Sequence, residues 1–176
     1  MFIMVDLDNT FFKLNINWFL FFYILKKDFF FALKIMFFYL FKGRARCKRL
    51  LSSYIDLFNL DVFVNGKVLE FLELQRKDSK IVLATGSNEY IASKVVEKFS
   101  VFEGYIASDD IFNCVGENKL KKILEYTNNL PFFYIGDSYV DIPVWEASSK
   151  IGVVNPSLTL IKKIQKLGKE YVVFYD

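Results

Sequence analysis

The chain opens with FIMVDLDNT, from Phe2 to Thr10, an apolar run that ends in two acidic residues. Four apolar residues, Phe2 to Val5, predict a short buried strand. Asp6 and Asp8 follow this strand directly, two positions apart, so an extended backbone would direct both carboxylates to a similar side. Two neighbouring carboxylates can divide nucleophilic attack and proton transfer between them. We assign the attack to Asp6 and the acid–base work to Asp8.

From about Lys80 onward, strand-like and helix-like segments alternate, which predicts an α/β fold with a parallel sheet covered by helices. The predicted strands are Ile81–Ala84, Gly104–Ala107, Phe132–Ile135 and Ile151–Val154; the predicted helices are Asn88–Phe99, Asn118–Tyr126, Val140–Ala147 and Leu158–Leu167. Ligands of such folds bind beyond the carboxyl ends of the strands. Thr85 and Gly86 follow one strand and Asp137 follows another, so we expect them to meet Asp6 in one crevice.

Between Thr10 and Lys80 the pattern is helical and has no strand-like alternation. We interpret this segment as an insertion in the α/β unit. The predicted organisation is a core formed by residues 1–12 and 78–176, with a helical cap formed by residues 13–77.

The residue inventory narrows the chemistry. The 176 residues include no histidine, which excludes serine and cysteine hydrolases that use an imidazole base and leaves proton transfer to carboxylates. Cys47 and Cys114 are the two cysteines, far apart and without metal-site spacing. We therefore expect free thiols in a reducing compartment and no zinc site.

The acidic and basic groups after the strands fit phosphoryl chemistry on a hard cation. Asp6 and Asp137 offer the oxygen ligands that Mg²⁺ prefers, and Asp141, about one helical turn after Asp137, is expected to support the metal. Thr85, Gly86 and Lys119 are the predicted phosphate-binding residues, because phosphoryl transfer depends on positioning and charge neutralisation. These features also have purely structural interpretations, in which Lys119 is a solvated helix lysine and the neighbouring Ser87 is a helix N-cap.

These residues resemble the four motifs of the haloacid-dehalogenase superfamily: DLDNT, LATGS, Lys119 and GDSYVD, in that order. More narrowly, they are similar to the soluble domain found fused ahead of membrane prenyltransferases. The resemblance implies a Rossmann-like sheet with helices on both faces, a helical cap after the first motif, an aspartyl-phosphate intermediate, and a magnesium ligand from the Asp8 backbone carbonyl. Asn9 stands at a position where the superfamily more commonly has glycine. A receiver domain gathers similar groups, but the DxDxT spacing and the insertion argue against it.

Two apolar runs occupy the predicted cap. Residues 18–25 are entirely apolar, and residues 29–41 are interrupted only by Lys34. Placing Lys26, Lys27 and Asp28 in mid-bilayer would cost about 2.5–3.5 kcal/mol each, which argues against one spanning helix. A hairpin on the membrane surface, a partner or dimer interface and a Phe-rich cap core remain as alternatives, and we favour the first. The predicted contact residues are Trp18, Phe22, Phe30, Phe37, Phe38, Lys42 and Arg44.

Charge supports the membrane interpretation. Lys26 to Arg49 carries eight basic residues against Asp28 alone, although the whole chain has a formal charge of only +3. Such a patch suits anionic headgroups, and no base-reading motif points to nucleic acid. We therefore predict a cytoplasmic, magnesium-dependent phosphomonoesterase, peripheral on the inner face of the membrane, that acts on a lipid-linked polyprenyl phosphate. The alternatives are a non-catalytic module that docks on a membrane transferase, and a phosphotransferase.

Overall fold

The computed structural model describes residues 1–41 and 44–175, without the side chains of residues 38, 39 and 44–46. Its centre is a parallel sheet of six strands in the order β3-β2-β1-β4-β5-β6. The strands are β1 (Phe2–Val5), β2 (Lys80–Asn88), β3 (Gly104–Ser108), β4 (Phe132–Gly136), β5 (Lys150–Val154) and β6 (Tyr171–Phe174). The order reverses direction at β1, which pairs with both β2 and β4. A crevice for ligands forms at such a reversal.

The helices connect the strands and cover the sheet. They are α1 (Ile16–Lys27), α2 (Phe29–Phe41), α3 (Arg44–Ser52), α4 (Gly66–Gln75), α5 (Glu89–Lys98), α6 (Glu117–Thr127), α7 (Ile142–Ala147) and α8 (Leu158–Gln165). The fold is therefore the predicted Rossmann-like α/β arrangement. Several helices start at residues whose side chains accept a backbone N–H, as Asn15 does for α1 and Asn65 for α4.

Two apolar clusters lie on opposite faces of the sheet, because successive side chains of a strand alternate in direction. Ile3 and Val5 of β1 pack with buried residues of α1, α3, α4 and α5. Met4, between them, packs with buried residues of α6, α7 and α8. The helices therefore flank both faces, as predicted, and Phe11, Phe12 and Trp145 are fully buried.

The helical segment between β1 and β2 starts and ends at one place. The Lys13 amide donates to the Phe63 carbonyl at 2.7 Å, and the Asn65 amide donates to the Phe11 carbonyl at 2.8 Å. After this crossing, α4 returns to the sheet, where Phe71 contacts the rings of Phe133 and Phe174. The division into a core of residues 1–12 and 78–176 and a cap of residues 13–77 stays a prediction.

The apolar helices α1 and α2 are only partly covered. Ile16, Leu20 and Ile24 form the buried stripe of α1, whereas Trp18 and Phe22 are 58% and 54% exposed. Within the described residues, no helix combines the length and the apolar character that crossing a bilayer requires.

The structure corrects the predicted secondary structure at β2 and adds β6. Strand β2 continues to Asn88, past the predicted end at Ala84, and Asn88 caps α5 by accepting the Tyr90 amide. The interpretation of Ser87 as an N-cap is therefore wrong. Strand β6, which pairs in parallel with β5, was not predicted.

Candidate active site

Three carboxylates converge where β1 and β4 end. Asp6 directly follows β1, and its amide donates to the Ile135 carbonyl of β4 at 2.9 Å. Asp137 directly follows β4, and Asp141 lies four residues further on. One carboxylate oxygen from each of Asp6, Asp137 and Asp141 lies within 4.8 Å of the other two. This spacing allows all three residues to approach a single divalent ion.

Lys119 joins this cluster from α6. Gly116, just before the helix, has a positive φ of 57°, which suits glycine. The Lys119 ammonium lies 3.0 Å from an Asp6 oxygen and 3.2 Å from an Asp141 oxygen, and it is almost completely buried. The alternative of a solvated helix lysine is therefore wrong. Lys119 supplies a fixed positive charge beside Asp6.

Asp141 connects the loop after β4 with β4 itself and with α6. One of its oxygens accepts the Tyr134 hydroxyl at 2.6 Å as well as the Lys119 ammonium, and the other accepts the amides of Asp137 and Ser138 at 3.2 and 3.3 Å. These contacts occupy both oxygens with protein donors. Asp141 therefore orients Asp137 and Lys119.

Asp8 is tied to the helical segment and to β2. Its oxygens accept the Ile16 amide at 2.7 Å and the Ser87 hydroxyl at 2.9 Å. The Asn17 side-chain amide donates to the same hydroxyl at 2.7 Å and lies 3.5 Å from Asp8. These bonds fix the orientation of the Asp8 carboxyl group.

The turn between Asp6 and Asp8 continues into a left-handed residue. Asn9 has φ 53° and ψ 14°, and its side-chain amide lies 3.4 Å from an Asp137 oxygen. A glycine would adopt this conformation freely, and asparagine tolerates it better than other residues. The departure from the commoner glycine therefore keeps the turn and adds one polar contact.

Burial dominates the electrostatics of the carboxyl groups. Burial raises the pKa of Asp6 to about 8, against the opposing effect of Lys119, and burial with the Asp141 charge raises the pKa of Asp137 to about 7. Burial also raises the pKa of Asp8, against its hydrogen bonds from Ile16 and Ser87. For Lys119, burial lowers the pKa, but Asp141 and Asp6 raise it by more. The site thus favours protonated carboxyl groups or a bound cation.

The predicted phosphate-binding residues take different positions. Thr85 is fully buried, and its hydroxyl accepts the Ser87 amide at 2.9 Å, so it shapes the turn at Gly86, which is the irregular stretch of β2 between Ala84 and Asn88. Gly86 lines the cavity described below. A Cβ atom there would lie 2.8 Å from Val115 Cγ2, so the tight packing explains the glycine.

A cavity of about 670 Å³ connects these polar groups with the apolar helices. Asp6, Asp8, Asp137 and Lys119 line one part of it. Most of its apolar lining comes from α1, α2 and α3 and includes Trp18, Phe21, Ile35, Met36, Leu40 and Leu51. The cavity can therefore accommodate a ligand with a charged group and an apolar portion.

The predicted membrane contacts divide into two groups. Trp18, Phe22, Phe30 and Phe37 are all more than half exposed, and Phe30 reaches 82%. Lys42 and the side chains of Phe38 and Arg44 lie outside the described residues.

Sequence reasoning missed Asn17, Tyr134 and Lys48 as site residues. It also grouped Lys48 and Arg49 with basic residues that face headgroups, whereas Lys48 donates to the Gly86 carbonyl and Arg49 pairs with Asp110. The alternation along β4 could have found Tyr134, which follows buried Phe133 by one position. Asn17 and Lys48 carried no such signal, because their direction depends on how the helices pack.

The chain resembles known proteins in sequence and in fold. Residues 3–146 match the family described as haloacid dehalogenase-like hydrolase. A Sinorhizobium fredii protein, described as uncharacterized protein y4nM, is 26% identical over 133 residues, which is 74% of this chain but only 25% of that protein. The chain thus spans about a quarter of this curated relative.

Solved structures show the same fold. A protein of unknown function from Bordetella pertussis aligns with a TM-score of 0.73 at 14% identity over 97% of both chains. A phosphoserine phosphohydrolase-like protein from Francisella tularensis aligns with a TM-score of 0.64 at 13% identity, over 98% of this chain and 94% of that one.

Proposed function

Since the chain belongs to the haloacid dehalogenase-like hydrolase family, we propose that it is a magnesium-dependent phosphatase that hydrolyses phosphate monoesters through an aspartyl-phosphate on Asp6. One observation carries the proposal: the buried cluster of Asp6, Asp137 and Asp141 with Lys119 at its side. A fold alone supports many reactions, whereas this cluster has the charges that phosphoryl transfer needs.

The donor set fits a magnesium ion. The three carboxylates are hard oxygen ligands, and their crowding in a buried place is relieved by a divalent cation. Asp6 and Asp137 would hold the ion together with the backbone carbonyl of Asp8, and Asp141 would support it through the Asp137 and Ser138 amides. When bound, Mg²⁺ supplies positive charge that offsets the repulsion between the phosphate dianion and the attacking carboxylate.

The residues divide the chemistry as follows. An Asp6 carboxylate oxygen forms a bond to phosphorus while the bond from phosphorus to the ester oxygen breaks. Protonated Asp8 donates its proton to the leaving oxygen, which departs as the alcohol. In the second step a water molecule attacks phosphorus and gives a proton to the ionised Asp8. The bond between phosphorus and Asp6 breaks, which frees the Asp6 carboxylate and releases inorganic phosphate. The raised pKa of Asp8 suits the first of these steps.

The phosphoryl oxygens are bound by groups at the strand ends. The Lys119 ammonium is held close to Asp6 and balances part of the negative charge. We assign further phosphate contacts to the backbone near Gly86, in a turn that the Thr85 hydroxyl stabilises. These groups are fixed before the substrate arrives, so little reorganisation accompanies the reaction.

Hydrolysis of p-nitrophenyl phosphate tests the proposal. We expect turnover that requires Mg²⁺, stops with EDTA, and falls by about four orders of magnitude in Asp6→Asn, because the nucleophile is lost. Unchanged turnover in Asp6→Asn would refute the enzymatic assignment. Product analysis with an added sugar alcohol separates hydrolysis from phosphotransfer, which would place the phosphate on the acceptor.

For the substrate, we propose a phosphate monoester on a lipid such as a polyprenyl chain. The support is the shared cavity, in which apolar side chains of α1, α2 and α3 face the same space as Asp6 and Lys119. An alkyl chain gains about 0.8 kcal/mol for each CH₂ group removed from water. The specificity constant should therefore rise along a series of alkyl phosphates of increasing length. A constant value across that series, with equal turnover of sugar phosphates, would exclude the lipid assignment.

We further propose that the outward face of α1 and α2 docks on an anionic membrane surface. Phe22, Phe29 and Phe30 are more than half exposed, and Lys26, Lys27 and Lys34 are exposed among them. Apolar side chains beside lysines are typical of interfacial helices. A non-catalytic role in docking on a membrane transferase uses the same surface, and retention of docking without any turnover would favour it.

A further inference from the structure

Two adjacent basic residues of α3 have different surroundings. Arg49 is largely exposed and pairs with Asp110 at the surface. Lys48 is partly buried and lines the cavity together with Asp6 and Asp8. Its ammonium donates to the Gly86 carbonyl at 2.5 Å and to the Asn113 side-chain oxygen at 2.7 Å. Lys48 therefore connects the helical segment to β2 at Gly86 and to the loop after β3 at Asn113.

The position of Lys48 is fixed from both sides. On α3, the neighbouring Cys47 and Leu51 are buried, which sets the direction of the helix face that carries Lys48. On the sheet side, the Gly86 carbonyl also accepts the Ser108 hydroxyl at 2.7 Å. Two donors thus hold this carbonyl, and the turn has no room for a side chain at Gly86.

Lys48 also acts on the site through its charge. It lowers the pKa of Asp8, although burial has the larger, opposite effect. Lys119 lies on the core side of the same cavity, against Asp6. A phosphoryl group next to Asp6 would therefore lie in a cavity with ammonium groups from two separate parts of the chain.

We propose that Lys48 determines specificity for the phosphoryl group: its ammonium binds a phosphoryl oxygen of the substrate and ties that binding to the seating of α3 on the Gly86 turn. The proposal rests on the proposed function, because it names a second phosphate-binding cation for the same site. The ligand is a phosphate dianion, free or esterified. A lysine is suited to this role as a compact charge with three donors that can be shared between oxygens.

Such a contact has a specific kinetic signature. An interaction that is equally strong in the bound substrate and in the transition state changes KM and leaves kcat unaltered. Inorganic phosphate, the product, should lose affinity in parallel. A purely structural link would instead lower the unfolding temperature without a selective loss of phosphate affinity.

The test compares Lys48→Met with Arg49→Met, a matched change on the same helix that also removes a contact to the sheet side. For Lys48→Met we expect KM for p-nitrophenyl phosphate and the inhibition constant of inorganic phosphate to rise by about 10- to 100-fold, as loss of a charge-assisted bond predicts, with kcat within about threefold. Arg49→Met should change both constants by less than about twofold. Lys48→Arg should restore most of the phosphate affinity.

The outcomes separate this proposal from the proposed function. Equal, small effects of Lys48→Met and Arg49→Met on phosphate affinity would overturn it. If Lys48→Met does not fold, Lys48→Gln decides the question, because it keeps a donor for the Gly86 carbonyl without the charge. Weakened phosphate affinity in Lys48→Gln would support a direct contact, and wild-type affinity would refute it. Calorimetric titration of the wild-type protein with inorganic phosphate and Mg²⁺ shows whether the site binds phosphate even if no ester is hydrolysed.

Discussion

The polar site at the strand ends and the outward face of α2 are built in opposite ways. At the strand ends, Asp141 accepts the Tyr134 hydroxyl, the Lys119 ammonium and two backbone amides. On the outward face of α2, Phe30 and Phe41 are each more than two thirds exposed. The first region has its polar groups paired inside the protein, and the second leaves apolar surface facing outward.

The two regions differ in what they can do without a binding partner. Buried charges that are held by several partners keep one geometry, which chemistry requires. Exposed aromatic side chains contribute stabilising free energy only when a partner or a membrane covers them. If the comparison is right, changes in the polar region alter turnover and folding, whereas changes on the outward face of α2 alter only association.

The largest expected effect is the loss of turnover when Asp8, the proposed proton donor, is replaced. Asp8→Asn keeps an oxygen for the Ile16 amide and a polar group for Ser87, so the fold should persist. Because a general acid is lost, turnover of an alkyl phosphate should fall by about 10²- to 10⁴-fold. Steady-state kinetics should show a smaller loss for p-nitrophenyl phosphate, whose leaving group needs less protonation. Equal losses for both esters would assign proton donation to another group.

Removal of the buried ammonium is the next largest effect. Lys119→Met leaves Asp6 and Asp141 buried without their shared cation, which should lower the free energy of unfolding by about 3–5 kcal/mol. Thermal denaturation should show Mg²⁺ stabilising this variant more than wild type, because the same carboxylates bind the ion. Lys122→Met is the control, since Lys122 lies on the same helix but pairs with Glu125 at the surface.

Equal unfolding temperatures for these two lysine variants would contradict the ion-pair argument. Surface ion pairs contribute about 0–1 kcal/mol, so the control should change little.

The sequence predicted the polar region better than the apolar one, for a physical reason. Asp6, Asp137 and Gly86 follow predicted strands, and the carboxyl ends of parallel strands meet at one edge of the sheet. Their convergence follows from topology alone. The sixth strand escaped prediction because Tyr171–Phe174 is a four-residue run without any polar motif after it.

The helical segment shows why the remaining site residues could not be predicted. Asn17 and Lys48 reach the cavity only because α1 and α3 pack with particular faces toward the sheet. Helices α1 and α2 have little contrast between their faces, so their sequence does not define which side is buried, and α3 packs against both of them. Arg49 and Lys48 differ by one position and point to different partners, which composition does not reveal.

A smaller effect is expected for lipid binding, which should change when an exposed apolar side chain of α2 is replaced. Phe30→Ser should weaken binding to phosphatidylserine-containing vesicles by about tenfold or more, because burial of a Phe side chain contributes about 1.5–3 kcal/mol. Turnover of p-nitrophenyl phosphate and the unfolding temperature should stay near wild type. Cosedimentation measures the binding, and Leu158→Ser is the control, since Leu158 is 79% exposed on α8.

The result would contradict the docking proposal if Leu158→Ser and Phe30→Ser weakened vesicle binding equally. Binding to neutral phosphatidylcholine vesicles as tight as to anionic ones would remove the contribution assigned to Lys26, Lys27 and Lys34.

The smallest effect concerns two left-handed asparagines, one in the polar site and one at the end of α6. Asn9 and Asn128 have φ angles of 53° and 51°, but only Asn9 contacts Asp137, whereas Asn128 ends α6. Alanine at either position should cost about 1 kcal/mol in the free energy of unfolding, because a Cβ atom without a polar group disfavours this conformation. Chemical denaturation measures that cost, and glycine at either position should remove it. Only Asn9→Ala should also reduce turnover, since the turn that it stabilises connects Asp6 with Asp8; an equal loss of turnover in Asn128→Ala would show that backbone strain anywhere in the sheet's loops is transmitted to the carboxylates.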